Sequence, residues 1–131
     1  MGKIILIVDS RRTIRTLVMT YFRVYFVASL ASDKIMPEIV EAKDEEQAWC
    51  LLAEGLAPDF MVIGGPMLKM DGVDLIDKIQ AELQLKTKIV LFGDLPLKDE
   101  AKQKGCLFVH EYIGGEGEIL KLAAEMKIFS A

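Results

Sequence analysis

The chain has 131 residues, 52% hydrophobic and 27% charged, with a formal net charge of −4. That length and balance fit one soluble domain with an ordinary core, read as residues 1–131. The acidic balance argues against nucleic acid or anionic membrane as a main partner. Cys50 and Cys106 fall in segments that read as buried, which points to core residues in a reducing compartment rather than a disulfide framework. No CxxC or Cys/His cluster suggests a metal site.

Lys3 to Val8 is a continuous β-branched run, the pattern of a strand buried on both faces. It begins within three residues of Met1, so no signal peptide is expected and the expected location is the cytoplasm. Asp9-Ser10 are two good N-cap residues. A helix follows, with Ile14, Leu17, Val18, Tyr21 and Phe22 on its apolar face. The apolar pattern then continues through Val24, Tyr25, Phe26, Val27, Ala28 and Leu30. Either the helix runs on, or the chain turns extended near Tyr25, before Ser32-Asp33-Lys34 and Pro37 break it. Ile14 to Leu30 is short for a membrane span and carries Arg15 and Arg23, so no membrane partner is expected.

Glu38 to Ala42 reads as a short strand. Asp44 caps a helix, with Gln47 three residues on as in a capping box. Ala48, Leu51 and Leu52 form its buried stripe, and Gly55 is its stop. Phe60 to Ile63 is an apolar run between turn signals, hence a central strand. After Gly64-Gly65-Pro66 and Asp71-Gly72, a helix to about Leu83 buries Val73, Ile76, Ile79 and Leu83. Ile89 to Phe92 is the fourth strand. Leu97 to Lys104 is a short polar helix anchored by Ala101 and ended by Gly105. Leu107 to Val109 is the fifth strand, and Gly114-Gly115 lead into a last helix through Met126. Strand and helix alternate five times, which predicts an α/β fold with a mostly parallel sheet and helices on both faces.

The run Ile5 to Arg15 (Ile-Leu-Ile-Val-Asp-Ser-Arg-Arg-Thr-Ile-Arg), Pro58-Asp59 through Met70-Asp71-Gly72, Glu41-Ala42-Lys43-Asp44 and Gly105 together resemble the receiver domain of two-component response regulators. The resemblance covers nearly the whole chain. It implies a five-stranded parallel sheet in flavodoxin-like order, 2-1-3-4-5. It also implies a longer connection than usual at about 24–37, either an extended first helix or an insertion.

Receivers take a phosphoryl group from a histidine kinase onto an aspartate ending the third strand, with Mg²⁺ neutralising charge on the transferring group. Carried over position by position, the two acids after the first strand fall at Asp9 and Ser10. The acceptor falls at Gly64 and the hydroxyl residue ending the fourth strand at Gly93. The lysine after the fifth strand falls at Tyr112, the proline after it at Ile113, and the aromatic switch position near Val109. Asp9 alone survives as a residual metal ligand, and one carboxylate makes a poor Mg²⁺ site. No cofactor is expected, and Mg²⁺ binding is expected to be weak or absent. The sequence resembles a degenerate receiver, a pseudo-receiver without the acceptor aspartate.

Substitute sites have little support. Gly64-Gly65 could form an anion nest, but no GxGxxG or Walker pattern surrounds them. Asp59 sits at the far end of its strand, and Asp71 fits a turn and N-cap role. His110 is the only histidine, with nothing in sequence to pair with it, and Ser10 is a weak nucleophile candidate with no histidine in its sequence context. The expected function is a non-enzymatic, response-regulator-like signalling module of the two-component or phosphorelay type. It would act through protein–protein interaction without phosphorylation. Two alternatives stay open: a phosphorelay receiver with a non-standard acceptor, and a small-ligand binder in the vacated crevice. The expected partner surfaces are the Leu97 to Met126 face, for a protein partner, and Tyr21 to Leu30, for a homodimer.

Overall fold

The structure is a computed structural model, and it describes residues 3–29, 36–64, 72–83, 87–93 and 97–110. In chain order the elements are β1 (Ile4–Val8), α1 (Arg12–Ser29), β2 (Glu38–Ala42), α2 (Glu45–Ala53), β3 (Phe60–Gly64), α3 (Gly72–Glu82), β4 (Lys88–Gly93), α4 (Lys98–Gln103) and β5 (Leu107–His110). All strand pairs are parallel, and the sheet order is β2-β1-β3-β4-β5. This is the flavodoxin-like order. The expected last helix lies outside the described residues, as do Leu30 to Ile35 and Gly65 to Asp71.

The strands are apolar throughout because both faces of the sheet are covered. Successive side chains point to opposite faces. Ile5 and Ile7 of β1 therefore join Phe60, Val62, Val90, Phe92 and Val109 under Val18 and Phe22 of α1. Leu6 and Val8 join Met61, Ile63 and Leu91 under Ala48 and Leu52 of α2, Leu75, Ile76 and Ile79 of α3, and Ala101 of α4. Phe22 meets Phe60 edge to face, with ring centroids 6.4 Å apart. Burying one such side chain contributes about 1.5–3 kcal/mol.

The ends of α2 and α4 follow from local chemistry. Asp44 accepts from the Gln47 N–H at 2.8 Å, a cap of about 1 kcal/mol. The Gln47 side chain accepts in return from the Lys43 N–H, one residue before the cap. Both helices close with two crossed backbone bonds: Gly55 to Leu52 with Leu56 to Leu51, and Gly105 to Lys102 with Cys106 to Ala101. The glycines stand at φ of +110° and +72°, a region that disfavours other residues.

Several expectations need correction. The helix reading of Tyr25 is the right one, since α1 runs to Ser29. At 18 residues α1 is about 27 Å long, beside strands of five residues that span about 17 Å. Leu17 and Tyr21 are not core: each is 39% exposed, and Val24 is 60% exposed. They sit one residue off the buried Val18–Phe22 line, turned about 100° around the helix. Cys50 is exposed and Cys106 half-buried. Cys50 lies two residues from both Ala48 and Leu52, so the stripe that packs on the sheet turns it outward. Leu51 is half-buried, and α3 packs through Leu75 as well as Ile76 and Ile79. At the start of α1 the Asp9 carboxylate accepts from the Arg11 N–H. The Arg11 carbonyl takes the first backbone bonds, from the Ile14 and Arg15 N–H groups.

Candidate functional site

In an open parallel sheet the place for a ligand is beyond the carboxyl ends of the strands, where the strand order reverses. Here that point lies between β1 and β3. Asp9 follows β1, Gly64 ends β3 and Gly93 ends β4. The register pairs Val8 with Ile63 and Gly64 with Phe92, so Asp9 and Gly64 come side by side with Gly93 one strand over. Ser10 is half-buried next to Asp9, and Gly93 is buried. Tyr112 and Ile113 lie outside the described residues.

Asp9 is 1% exposed. A carboxylate so deep needs a counter-charge and filled lone pairs. Arg11 supplies both. Its backbone N–H donates to Asp9 Oδ1 at 2.8 Å, its Nε donates to the same oxygen at 2.9 Å, and its Nη2 donates to Oδ2 at 2.8 Å. This is a two-pronged guanidinium–carboxylate pair, the stronger kind of charge-assisted bond. The Asp9 carbonyl oxygen accepts from Arg15 Nη1 at 2.7 Å, and Arg15 Nε reaches Glu41 Oε1 at 3.2 Å. Arg15 thereby straps the end of β1 to the end of β2.

Gly64 has no room for a side chain. A Cβ built there would lie 1.9 Å from Asp9 Oδ2 and 2.6 Å from its Cγ. The crevice expected to be vacated at this position is instead filled by the Asp9 carboxylate. A cavity of about 230 Å³ lies at the opposite end of the sheet, lined by Gln80, Thr87, Lys88, Ile89 and Gly105 to Leu107. Oδ1 and Oδ2 are both turned onto Arg11, and Gly64 beside them adds no side-chain ligand. Among the described residues, no group of three or more His, Cys, Asp or Glu could hold a metal.

Of the other candidates, Asp59 separates from the crevice and His110 lies beside it. Asp59 accepts from the Ile4 N–H at 2.9 Å and closes the amino end of β1, far from Gly64. His110 is half-buried at the end of β5, paired in register with Gly93. Asp71 lies outside the described residues. Burial pushes the Cys106 thiol up from its ordinary value, against the pull of Lys104, so it is a poor nucleophile.

Arg11, Arg15 and Glu45 escaped the sequence reading. The Asp-x-Arg-x-x-x-Arg spacing, with the arginines one helical turn apart, is a signal that could have flagged the first two. Glu45 is 3% exposed, and neither carboxylate oxygen has a hydrogen-bond partner among the described residues. It shares the face of Ala48 and Leu52, in the first turn of α2, where the helix dipole favours a negative charge.

The same architecture recurs in solved structures. The receiver domain of the Francisella response regulator 1452 superposes with a TM-score of 0.76 at 17% identity, covering 96% of this chain and 98% of its own. The fold is that of a receiver domain. The chemotaxis response regulator CheY4 of Vibrio cholerae is similar at a TM-score of 0.74 and 19% identity, over 95% of this chain and 98% of its own. The response regulator TrrA of Thermotoga maritima, solved with Mg²⁺ and BeF, gives 0.70 and 18%, over 93% and 97%. No protein-family model matches the sequence, and no curated protein matches it. The receiver fold thus carries a crevice in which aspartate, arginine and glycine fit together as one packed unit. Among the described residues, no helix is long and apolar enough to cross a membrane.

Proposed function

We propose that this chain is a response-regulator-like signalling module that works without phosphorylation and without catalysis, through contact with other proteins. The receiver fold supports the signalling part. The observation that carries the rest is at Gly64: the position that matches the family's acceptor has no carboxylate, and Asp9 occupies the space a side chain would need. A phosphorelay receiver with a non-standard acceptor would need another acceptor side chain in the crevice. Asp59 is at the wrong end of β3, bonded to the Ile4 N–H. The small-ligand reading keeps only the space beside Gly93, since Asp9 fills that beside Gly64. Incubation with acetyl phosphate and Mg²⁺, followed by intact-mass spectrometry, is expected to leave the mass unchanged. A phosphoryl adduct would overturn this reading.

Two surfaces are proposed for contact. One is the Leu97 to Met126 face, of which α4 and β5 are described; α4 is held mainly by Ala101. The other is the outer side of α1, where Leu17, Tyr21 and Val24 lie exposed at the spacing of one helical line. It continues into the expected Tyr21 to Leu30 homodimer segment, whose side chains beyond Val24 are outside the described residues. Light scattering at tens of micromolar is expected to give a dimer mass, reduced to monomer by Tyr21→Glu. A monomer mass for the unmodified chain removes the homodimer.

A further inference from the structure

We infer that the Arg11 guanidinium is the resident cation of this crevice, standing where a receiver pocket takes a divalent metal, and that it closes Asp9 to Mg²⁺. The inference rests on reading the crevice as a receiver pocket. It adds what fills the pocket and what would reopen it.

The Asp9 side chain is 2% exposed. Such a carboxylate must be neutralised, by a metal or by a side chain. Each of its three oxygens already accepts from an arginine. Oδ1 and Oδ2 are taken by Arg11, at 2.8–2.9 Å, and the backbone oxygen by Arg15 at 2.7 Å. A planar guanidinium matches a carboxylate edge to edge, which a lysine ammonium cannot do. The pair is also neutral in sum, so no net negative field is left at the end of β1 to draw in a dication. Mg²⁺ demands near-octahedral oxygen geometry and dehydrates reluctantly. To bind here it would displace two charge-assisted bonds and gain a single carboxylate, since Gly64 adds no side chain and no space. Arg15 reinforces the arrangement from behind, tying Asp9 to Glu41 across β1 and β2. The pocket is therefore held in one state by its own chain, and its shape does not depend on metal.

The test is a titration of ¹⁵N-labelled protein with Mn²⁺, whose paramagnetism broadens nearby amide signals. In the unmodified chain the signals of Asp9, Ser10 and Gly64 are expected to keep their intensity. In Arg11→Met, which keeps the stem and removes the charge, the same signals are expected to broaden saturably. Saturable broadening in the unmodified chain would overturn the inference, and so would its absence in a folded Arg11→Met. Should Arg11→Met fail to fold, the unmodified chain still decides. Arg11→Gln then supplies the comparison, since it removes the charge and keeps a polar head, and no gain of broadening there counts against the inference. A phosphoryl adduct with Mn²⁺ excluded would sink the phosphorylation-independent reading alone. Mn²⁺ bound at Asp9 with no adduct would sink this inference alone.

Discussion

Gly64→Ala lowers the unfolding free energy by about 1–3 kcal/mol, the usual cost of forcing a methyl group into a filled interior. The sign is the informative part. Gly64 lies in a strand and is not among the positive-φ glycines. With open space beside it, alanine there would stabilise the protein by about 0.4–1 kcal/mol, by restricting the unfolded chain. The structure reverses that sign through one neighbour: the new Cβ falls 1.9 Å from Asp9 Oδ2. Asp9 is a short side chain held at both oxygens, so it cannot step aside without breaking the fork to Arg11. The penalty should therefore vanish when Asp9 is also truncated. In a double-mutant cycle of Gly64→Ala with Asp9→Ala, the coupling is expected to exceed about 1 kcal/mol, as for residues in direct contact. Unchanged or raised stability in Gly64→Ala alone would mean that Asp9 does not occupy that space. Gly64→Asp is expected to cost more than Gly64→Ala, since it adds a second carboxylate against the first.

Arg11→Met costs about 2–4 kcal/mol, because it strands a buried carboxylate. The guanidinium side is 32% exposed, which places the effect in the lower half of that range. Asp9→Asn costs less. The amide still accepts from the Arg11 backbone N–H, and the released guanidinium can turn to water, whereas Asp9 cannot. Urea unfolding with matched m-values reads both effects. Arg11→Met within about 0.5 kcal/mol of the unmodified chain, the range of ordinary surface substitutions, would show the pair to be a surface contact with little weight.

Much of the fold was legible because each layer repeats one physical signal. The unbroken apolar runs at Ile4–Val8 and Phe60–Gly64 mark strands covered on both faces. Asp44, Gln47, Gly55 and Gly105 mark helix ends by chemistry that acts within four residues. The strand order came from resemblance, because parallel pairing leaves no trace in periodicity. Burial within α1 was misread for a related reason. Its apolar residues surround most of the helix, so the pattern cannot say that Val18 and Phe22 face the sheet while Leu17 and Tyr21 face out. The positions of Asp9, Gly64 and Gly93 at three adjacent strand ends were legible from the aligned runs. The fork was not, since Arg11 at two residues from Asp9 could as well have pointed to solvent. Glu45 was invisible too, because a charged residue in a first helical turn ordinarily reads as a wet one.

These observations join at one place. The end of β1 and the end of β3 are packed against each other by Asp9 over Gly64, and Arg11 closes the assembly from outside. The most direct measurement is an amide NMR titration of the unmodified chain with Mg²⁺ and beryllofluoride, a mimic of the phosphoryl group. Asp9, Ser10, Gly64 and Gly93 are expected not to shift. Saturable shifts centred on those four residues would contradict this and restore the crevice as a working phosphoryl site.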